Sequence, residues 1–143
     1  MTDSSVSRRS RLLLLGLLTG IFFVNFLSRI ILAPLMPVIE GELGLNHAVS
    51  GSLFMMIAVG VSAGLFGSGF VSSRLMHRRT IVISAVVGGC AFFVIAASES
   101  LWAIRFGLVF LGFATGLYLP SGTTTITAAI PPIHWGKAFA FHE

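Results

Sequence analysis

Charge is scarce in this 143-residue sequence: only 10% of its residues are Asp, Glu, Lys or Arg, whereas 55% are hydrophobic. Soluble domains carry about 25% charged residues, and a soluble core of this size could not bury so much apolar surface. The mean hydropathy of +0.96 agrees with this. The scarcity therefore excludes an ordinary soluble domain and predicts that most of the chain lies in a lipid bilayer.

Cysteine and acidic residues are scarce as well. Cys90 is the single cysteine and lies inside an apolar run, so no intrachain disulfide can form. No Asp or Glu lies in the middle of an apolar run, although proton coupling normally needs a titratable group there. The nearest candidates for coupling are His142 and Glu143, with Arg105 as a third. The alternative is that His142 and Glu143 are simply polar residues near a helix start.

The motifs of enzymes and of nucleic-acid binding are absent too. We find no phosphate-binding loop, no clustered metal ligands, and no Ser, His and Asp placed to meet. The net charge of +4 comes from basic residues at the ends of apolar runs, where membrane orientation explains them. We therefore expect neither an enzyme, nor a bound cofactor or metal, nor a nucleic-acid partner.

What the sequence does contain is a series of apolar runs of membrane-crossing length. A polar, basic tail precedes them, and a fifth helix begins near the last residues. The predicted fold is an all-α, polytopic transmembrane bundle of four spans, whose domain covers residues 11–143. The tail covers residues 1–10, the spans cover residues 12–39, 49–71, 81–97 and 101–129, and the fifth helix starts at 138–143.

The basic residues predict the orientation of these spans. Lys and Arg are retained on the cytoplasmic side of membranes. Arg29 and Arg105 fall inside spans, and placing the N-terminus in the cytoplasm puts every other Lys and Arg on the inner side. We therefore expect a multi-pass protein of the cell membrane (the inner membrane in a bacterium) with a cytoplasmic N-terminus. The inner residues are Arg8, Arg9, Arg11, Arg74, Arg78, Arg79 and Lys137.

Two glycine pairs mark faces on which helices can approach closely. Gly60 and Gly64 lie in the second span, and Gly112 and Gly116 lie in the fourth. Small residues four apart let a second backbone come near. We read them as packing within the bundle rather than as a signal for a dimer.

The segment GFVSSRLMHRR, from Gly69 to Arg79, resembles the loop motif of the major facilitator superfamily, Gly-x-x-x-Asp-Arg-x-Gly-Arg-Arg/Lys. Gly69 and Arg74 match the motif's first glycine and first arginine, and the trailing basic positions fall to Arg78 or Arg79. Ser73 replaces the motif's Asp, and Met76 replaces its second glycine. The runs LAPLMPVIEGELGLNHAVSGSLF and GFATGLYLPSGTTTITAAIPPIHWGKAFAFHE resemble other parts of the family in the same order.

The resemblance implies the N-terminal portion of a twelve-span secondary transporter, with spans one to four and the start of span five. Such a carrier, for example a symporter, works by alternating access, and its remaining spans would be partners of this chain. In the family, the motif's Asp engages the other half of the carrier, and Ser73 cannot supply that charge. Either a carrier with Ser73 at this position gates differently, or the basic residues of the loop only set the membrane topology. We favour the second interpretation.

Arg29 is the leading candidate for substrate binding. A charge in the middle of a span is costly and is functional by default, and the resemblance places span one beside the central cavity, where an arginine in several branches binds organic anions. Asn25, one turn away on the same helix face, would be a neutral hydrogen-bonding neighbour. Alternatively, Arg29 extends to the interface or bonds backbone carbonyls near Pro34 and Pro37.

Span four offers further candidates. Thr115 and Tyr118 either line the substrate cavity or bond between helices. Arg105 either faces the cavity or lies at the interface beside Trp102, which we favour.

Two other functions compete with the carrier of a small organic anion. One is a self-contained, dimeric four-span exporter, although such exporters use a glutamate in span one where this chain has Arg29. The other is a membrane protein that does not transport and binds a partner through its glycine faces. A reading frame that continues past codon 143 would favour the carrier.

Overall fold

The computed structural model describes residues 8–143, and the predicted tail at residues 1–7 lies outside this range. The described residues form helices without any strand, which confirms the predicted all-α class. The helices are α1 (Arg8–Ile30), α2 (Leu32–Leu43), α3 (His47–Ala96), α4 (Leu101–Ala129) and α5 (Trp135–His142), with a 3₁₀-helix at Pro132–His134.

Three stretches of the described chain are long and apolar enough to cross a membrane. They are Arg9–Leu43, which combines most of α1 with α2, then His47–Ala96 and Leu101–Ala129. The first is interrupted only by a turn at Ile31. Pro34 is the third residue of α2, where a helix does not need the missing N–H. Its ring would, however, crowd the carbonyl of Ile30, which explains why the helix breaks there.

Helix α3 is interrupted at Met76. Its 50 residues would measure about 75 Å as one straight helix, against about 30 Å for the hydrocarbon layer. Met76 has φ 66° and ψ 150°, which is not helical. We call the part before it α3a (residues 47–75) and the part after it α3b (residues 77–96).

Helix α3a runs parallel to α4. The carbonyl of Ile57 faces Gly112 and the carbonyl of Val61 faces Gly116, so both residue numbers rise together along the interface.

Helix α3b runs antiparallel to α4. Ile95 packs against Gly107 near the start of α4, whereas Gly88 faces Ala114 farther along. Because α3a and α3b meet the same stretch of α4 in opposite directions, the chain reverses at Met76. The reversal falls within the segment that the sequence predicts to be the inner loop.

The two glycine pairs pack against each other. A Cβ on Gly64 would overlap the carbonyl oxygen of Phe113 and lie 2.9 Å from Cα of Gly116. A Cβ on Gly112 would likewise overlap the carbonyl oxygen of Ile57. Only glycine lets these two backbones touch, and the glycine faces are therefore buried inside the chain.

Other boundaries differ from those expected. Residues 8–10, which were predicted to belong to the tail, are helical and lie in α1. Helix α2 continues to Leu43 and ends with Gly44 in the left-handed conformation. Two residues later, the side chain of Asn46 caps α3. Between the predicted fourth span and the predicted fifth helix, the chain forms a 3₁₀-helix that leads directly into α5, so α5 begins at Trp135 rather than at residue 138. Gly44 and the Asn46 cap set the end of α2 and the start of α3, and apolar run length does not resolve such ends.

Candidate functional site

Helix α1 separates two cavities. One, of about 790 Å³, lies between α1 and α3b and is lined by Asn25, Ser84, Gly88 and other, mainly apolar residues. The other, of about 630 Å³, lies between the α1–α2 junction and α3a and includes Arg29. The structure thus places Asn25 and Arg29 beside different cavities, although they are four residues apart on one helix.

Arg29 lies in the last turn of α1 and has no hydrogen-bond or ion-pair partner among the described residues. Its Nε–H is buried and donates to no group of residues 8–143. Arg29 is also absent from the ion pairs of that part of the chain. Among the described residues, its Nε–H does not reach the carbonyls near Pro34 and Pro37, and the role of Arg29 stays a prediction. The cavity beside Arg29 is mainly apolar, and Ser62 contributes a hydroxyl group to it. The cavity is lined by Arg29, Ile30, Ala33, Phe54, Ile57, Ala58, Val61 and Ser62.

Asn25 and Thr115 join α1 to α4. The Thr115 hydroxyl lies 3.4 Å from Oδ1 of Asn25 and 3.2 Å from the carbonyl of Leu111, and the Asn25 amide donates to the carbonyl of Ile21 at 3.0 Å. Thr115 is almost fully buried, and Asn25 is nearly so. The contact therefore links the two helices by polar atoms inside an apolar interface.

Tyr118 joins three helices. Its hydroxyl donates to the carbonyl of Leu18 in α1 at 2.8 Å and lies 2.8 Å from Nε2 of His142 in α5. The His142 ring also packs against the ring of Phe22, with centroids 4.8 Å apart. Tyr118 is fully buried and His142 is 3% exposed.

Arg105 has an aromatic neighbour. Its guanidinium lies 5.1 Å from the centroid of Trp102, one turn earlier in α4. Cations are attracted to aromatic faces, and tryptophan is common at membrane interfaces. Whether Arg105 lies at the interface or faces the cavity stays a prediction, as does its role in coupling.

The residues of the loop motif surround the break in α3. The Ser73 hydroxyl donates to the carbonyl of Phe70 at 2.8 Å, and Arg74 lies over the Phe70 ring at 5.1 Å. Arg78 and Arg79 are exposed, and Gly69 has open space where a side chain would be. The break in α3 falls at Met76, the position at which the motif has its second glycine. Met76 has a positive φ, which is a conformation that favours glycine.

Two contacts of the site were not expected from the sequence. They are the bond between Tyr118 and His142, and the approach of His77 Nδ1 to the Ser121 hydroxyl at 3.4 Å. Both depend on how separate helices meet. The sequence offers only a weak signal for them, namely polar residues within apolar surroundings.

Comparison with known proteins agrees with this architecture. The model of the Major Facilitator Superfamily matches residues 18–143. A probable sulfoacetate transporter from Cupriavidus necator is 21% identical over 91% of this chain and 30% of its own length. A Na⁺, Li⁺, K⁺/H⁺ antiporter from Planococcus maritimus is 30% identical over 86% of this chain and 30% of its own length. Dityrosine transporter 1 from Saccharomyces cerevisiae is 24% identical over 94% of this chain and 24% of its own length.

No solved structure matches the chain significantly. The chain spans less than a third of the length of these curated relatives.

The helices and their apolar surfaces define a multi-pass membrane protein. The chain belongs to the Major Facilitator Superfamily, which confirms the resemblance drawn from the loop motif. This is a family of transporters and not of enzymes.

Proposed function

We propose that this chain is the N-terminal part of a secondary carrier that moves a small organic anion by alternating access, with Arg29 as the anion-binding residue. The observation that carries the proposal is the unpaired Arg29 side chain beside a cavity of about 630 Å³. Ligand cavities typically measure about 300–1,000 Å³.

The missing partner of Arg29 argues for an anion. A charge in apolar surroundings is costly unless it is paired, and the described residues provide no carboxylate for this one. A carboxylate or sulfonate in the cavity would supply the partner, since guanidinium binds planar carboxylates through two parallel hydrogen bonds. The relative named as a probable sulfoacetate transporter supports an anionic substrate. The other two relatives are named for metal cations and protons and for dityrosine.

The direction of the helices supports the predicted topology. Helices α3a and α4 run parallel, and α3b runs opposite to both. Helix α1 is antiparallel to α4, because Leu18 meets Tyr118 and Asn25 meets Thr115. We infer four membrane spans, corresponding to α1–α2, α3a, α3b and α4, with α5 beginning a fifth and the N-terminus in the cytoplasm.

The alternative of a partner protein held by glycine faces finds little support. Gly60, Gly64, Gly112 and Gly116 are already occupied by each other inside the chain. The match of the Major Facilitator Superfamily model to residues 18–143 argues against the self-contained four-span exporter.

Uptake of labelled carboxylates and sulfonates into liposomes that contain the full-length carrier tests the proposal. Hydrogen bonds to charged groups contribute about 1.5–3 kcal/mol, so Arg29→Ala should weaken anion affinity by about 10- to 150-fold. Arg29→Lys should lose less, because it keeps the charge but not the paired geometry. Arg9→Ala removes the same side chain from an exposed position of the same helix and is the control. Unchanged anion affinity in Arg29→Ala would refute the proposal.

A further inference from the structure

We propose that Tyr118 and His142 form a proton-binding site of the carrier, and that Nδ1 of His142 is the atom that takes up the proton. The link from this proton to transport depends on the carrier function proposed above. The binding site itself stands on the geometry of the buried pair.

The hydrogen bonds of Tyr118 define the tautomer of the neutral His142 ring. The Leu18 carbonyl can only accept, so the single proton of the Tyr118 hydroxyl is donated to it, at 2.8 Å. At the second 2.8 Å contact, the Tyr118 oxygen must then accept from Nε2 of His142. A neutral imidazole carries one proton. With that proton on Nε2, Nδ1 has a free lone pair.

The free nitrogen is buried without a partner. Nδ1 of His142 has no hydrogen-bonding group among residues 8–143, and the residue is 3% exposed. A buried polar atom without a partner is uncommon in folded proteins and calls for an explanation. Protonation of Nδ1 would convert it into a donor for water when the bundle opens.

The surroundings can hold a cationic ring. The rings of Phe22 and Tyr118 lie 4.8 Å and 6.0 Å from it, centroid to centroid, and the Tyr118 ring is nearly parallel to it. Aromatic rings attract cations, whereas burial disfavours the charge. These opposing effects suit reversible protonation.

Among residues 8–143, few charged or titratable groups face His142. Helix α4 provides Tyr118, and His77 contacts Ser121 one turn farther along α4. Helix α1 provides the Leu18 carbonyl and the uncharged Phe22 ring. On its own helix, Glu143 follows directly and adds a negative charge.

A series of polar residues leads from this pair towards Arg29. Tyr118 lies one turn from Thr115 on α4, Thr115 contacts Asn25 across the interface, and Asn25 lies one turn from Arg29 on α1. Movement of α1 against α4 would therefore act on the proton site and on the anion cavity together. In such a cycle, hydronium gives its proton to Nδ1 on one side of the membrane, and the imidazolium returns it to water on the other.

The first measurement needs no substrate. The full-length carrier is labelled with nitrogen-15 at its histidines and studied by NMR in bicelles, and the His142 signals are assigned by their loss in His142→Gln. We expect the Nε2–H tautomer at high pH and a doubly protonated ring as the pH falls from about 8 to 5. Tyr118→Phe should shift the Nε2 signal, because Nε2–H then loses its hydrogen-bond acceptor. An Nδ1–H tautomer, or a ring that stays neutral over that range, would overturn the proposal.

The second measurement tests coupling in the full-length carrier. Glutamine can still donate an N–H to Tyr118 but cannot be protonated, so His142→Gln separates hydrogen bonding from titration. We expect it to reduce uptake driven by a pH gradient by about tenfold or more, while exchange of labelled for unlabelled substrate continues. His134→Gln, the same change at an exposed histidine, is the control. Wild-type accumulation in His142→Gln would refute the coupling role.

The two proposals fail in different ways. If the wild-type carrier takes up no carboxylate or sulfonate, the anion proposal falls and the NMR titration alone decides the proton site. If anions are carried but His142 does not titrate, the proton site falls and the anion proposal stands.

Discussion

The close contact between α3a and α4 gives a prediction whose size follows from the geometry. In Gly64→Ala, the new Cβ would overlap the carbonyl oxygen of Phe113 and lie 2.9 Å from Cα of Gly116. Carbon atoms pack best at about 3.5–4.0 Å, so the two backbones must move apart by roughly 1 Å. Both obstructing atoms belong to backbone, so no side chain can turn away to make room.

The expected cost is that of overpacking a well-packed interface, about 1–3 kcal/mol of unfolding free energy. The gain in helix propensity from Gly to Ala, up to about 1 kcal/mol, acts in the opposite direction. Gly51→Ala carries the same propensity gain in the same helix, at a position with nothing within 4 Å of the new Cβ. The difference between these two variants therefore isolates the contact.

Reversible unfolding in mixed micelles measures that difference. We expect Gly64→Ala to be less stable than Gly51→Ala by about 1–3 kcal/mol. The double variant with Gly116→Ala should lose less than the sum of the two single changes, because residues in contact are not additive. Equal stability of Gly64→Ala and Gly51→Ala would show that α3a and α4 do not touch at these glycines.

Two more predictions concern the reversal of α3. Met76→Gly should raise the unfolding free energy by about 1 kcal/mol or more, because a side chain at φ 66° is strained. Met76→Ala keeps a Cβ and should not raise it. Equal effects of both changes in the same unfolding assay would contradict the strain. In a Cys90→Ser background, Ser73→Cys should react with a membrane-impermeant thiol reagent added from the cytoplasmic side, and His47→Cys with reagent added from outside. The opposite pattern would invert the topology.

The sequence predicted the features that depend on local pattern. Apolar run length gave the helical class, and the basic residues from Arg74 to Arg79 marked the place where α3 reverses. The glycine pairs predicted close backbone contact, which the structure shows between Gly64 and Gly116. The family followed from motifs in their order along the chain.

What could not be predicted depends on which helices meet. Spacing alone puts Asn25 and Arg29 on one face of α1, but α3a and α3b lie on different sides of that helix and form separate cavities with it. The bond between Tyr118 and His142 requires α5 to return to α1, which no apolar pattern encodes. The break at Met76 rests on a backbone conformation that methionine rarely adopts, so its residue type gave no sign of it.

The most direct test asks whether the cavity beside Arg29 is wet and holds an anion. Ser62 lines this cavity with Arg29, so a charged thiol reagent should modify Ser62→Cys in a Cys90→Ser background of the full-length carrier. A transported carboxylate or sulfonate should slow that reaction, and Arg29→Ala should abolish the protection. A cysteine at position 62 that does not react, or one that reacts at the same rate with and without every anion tried, would contradict an anion site at Arg29.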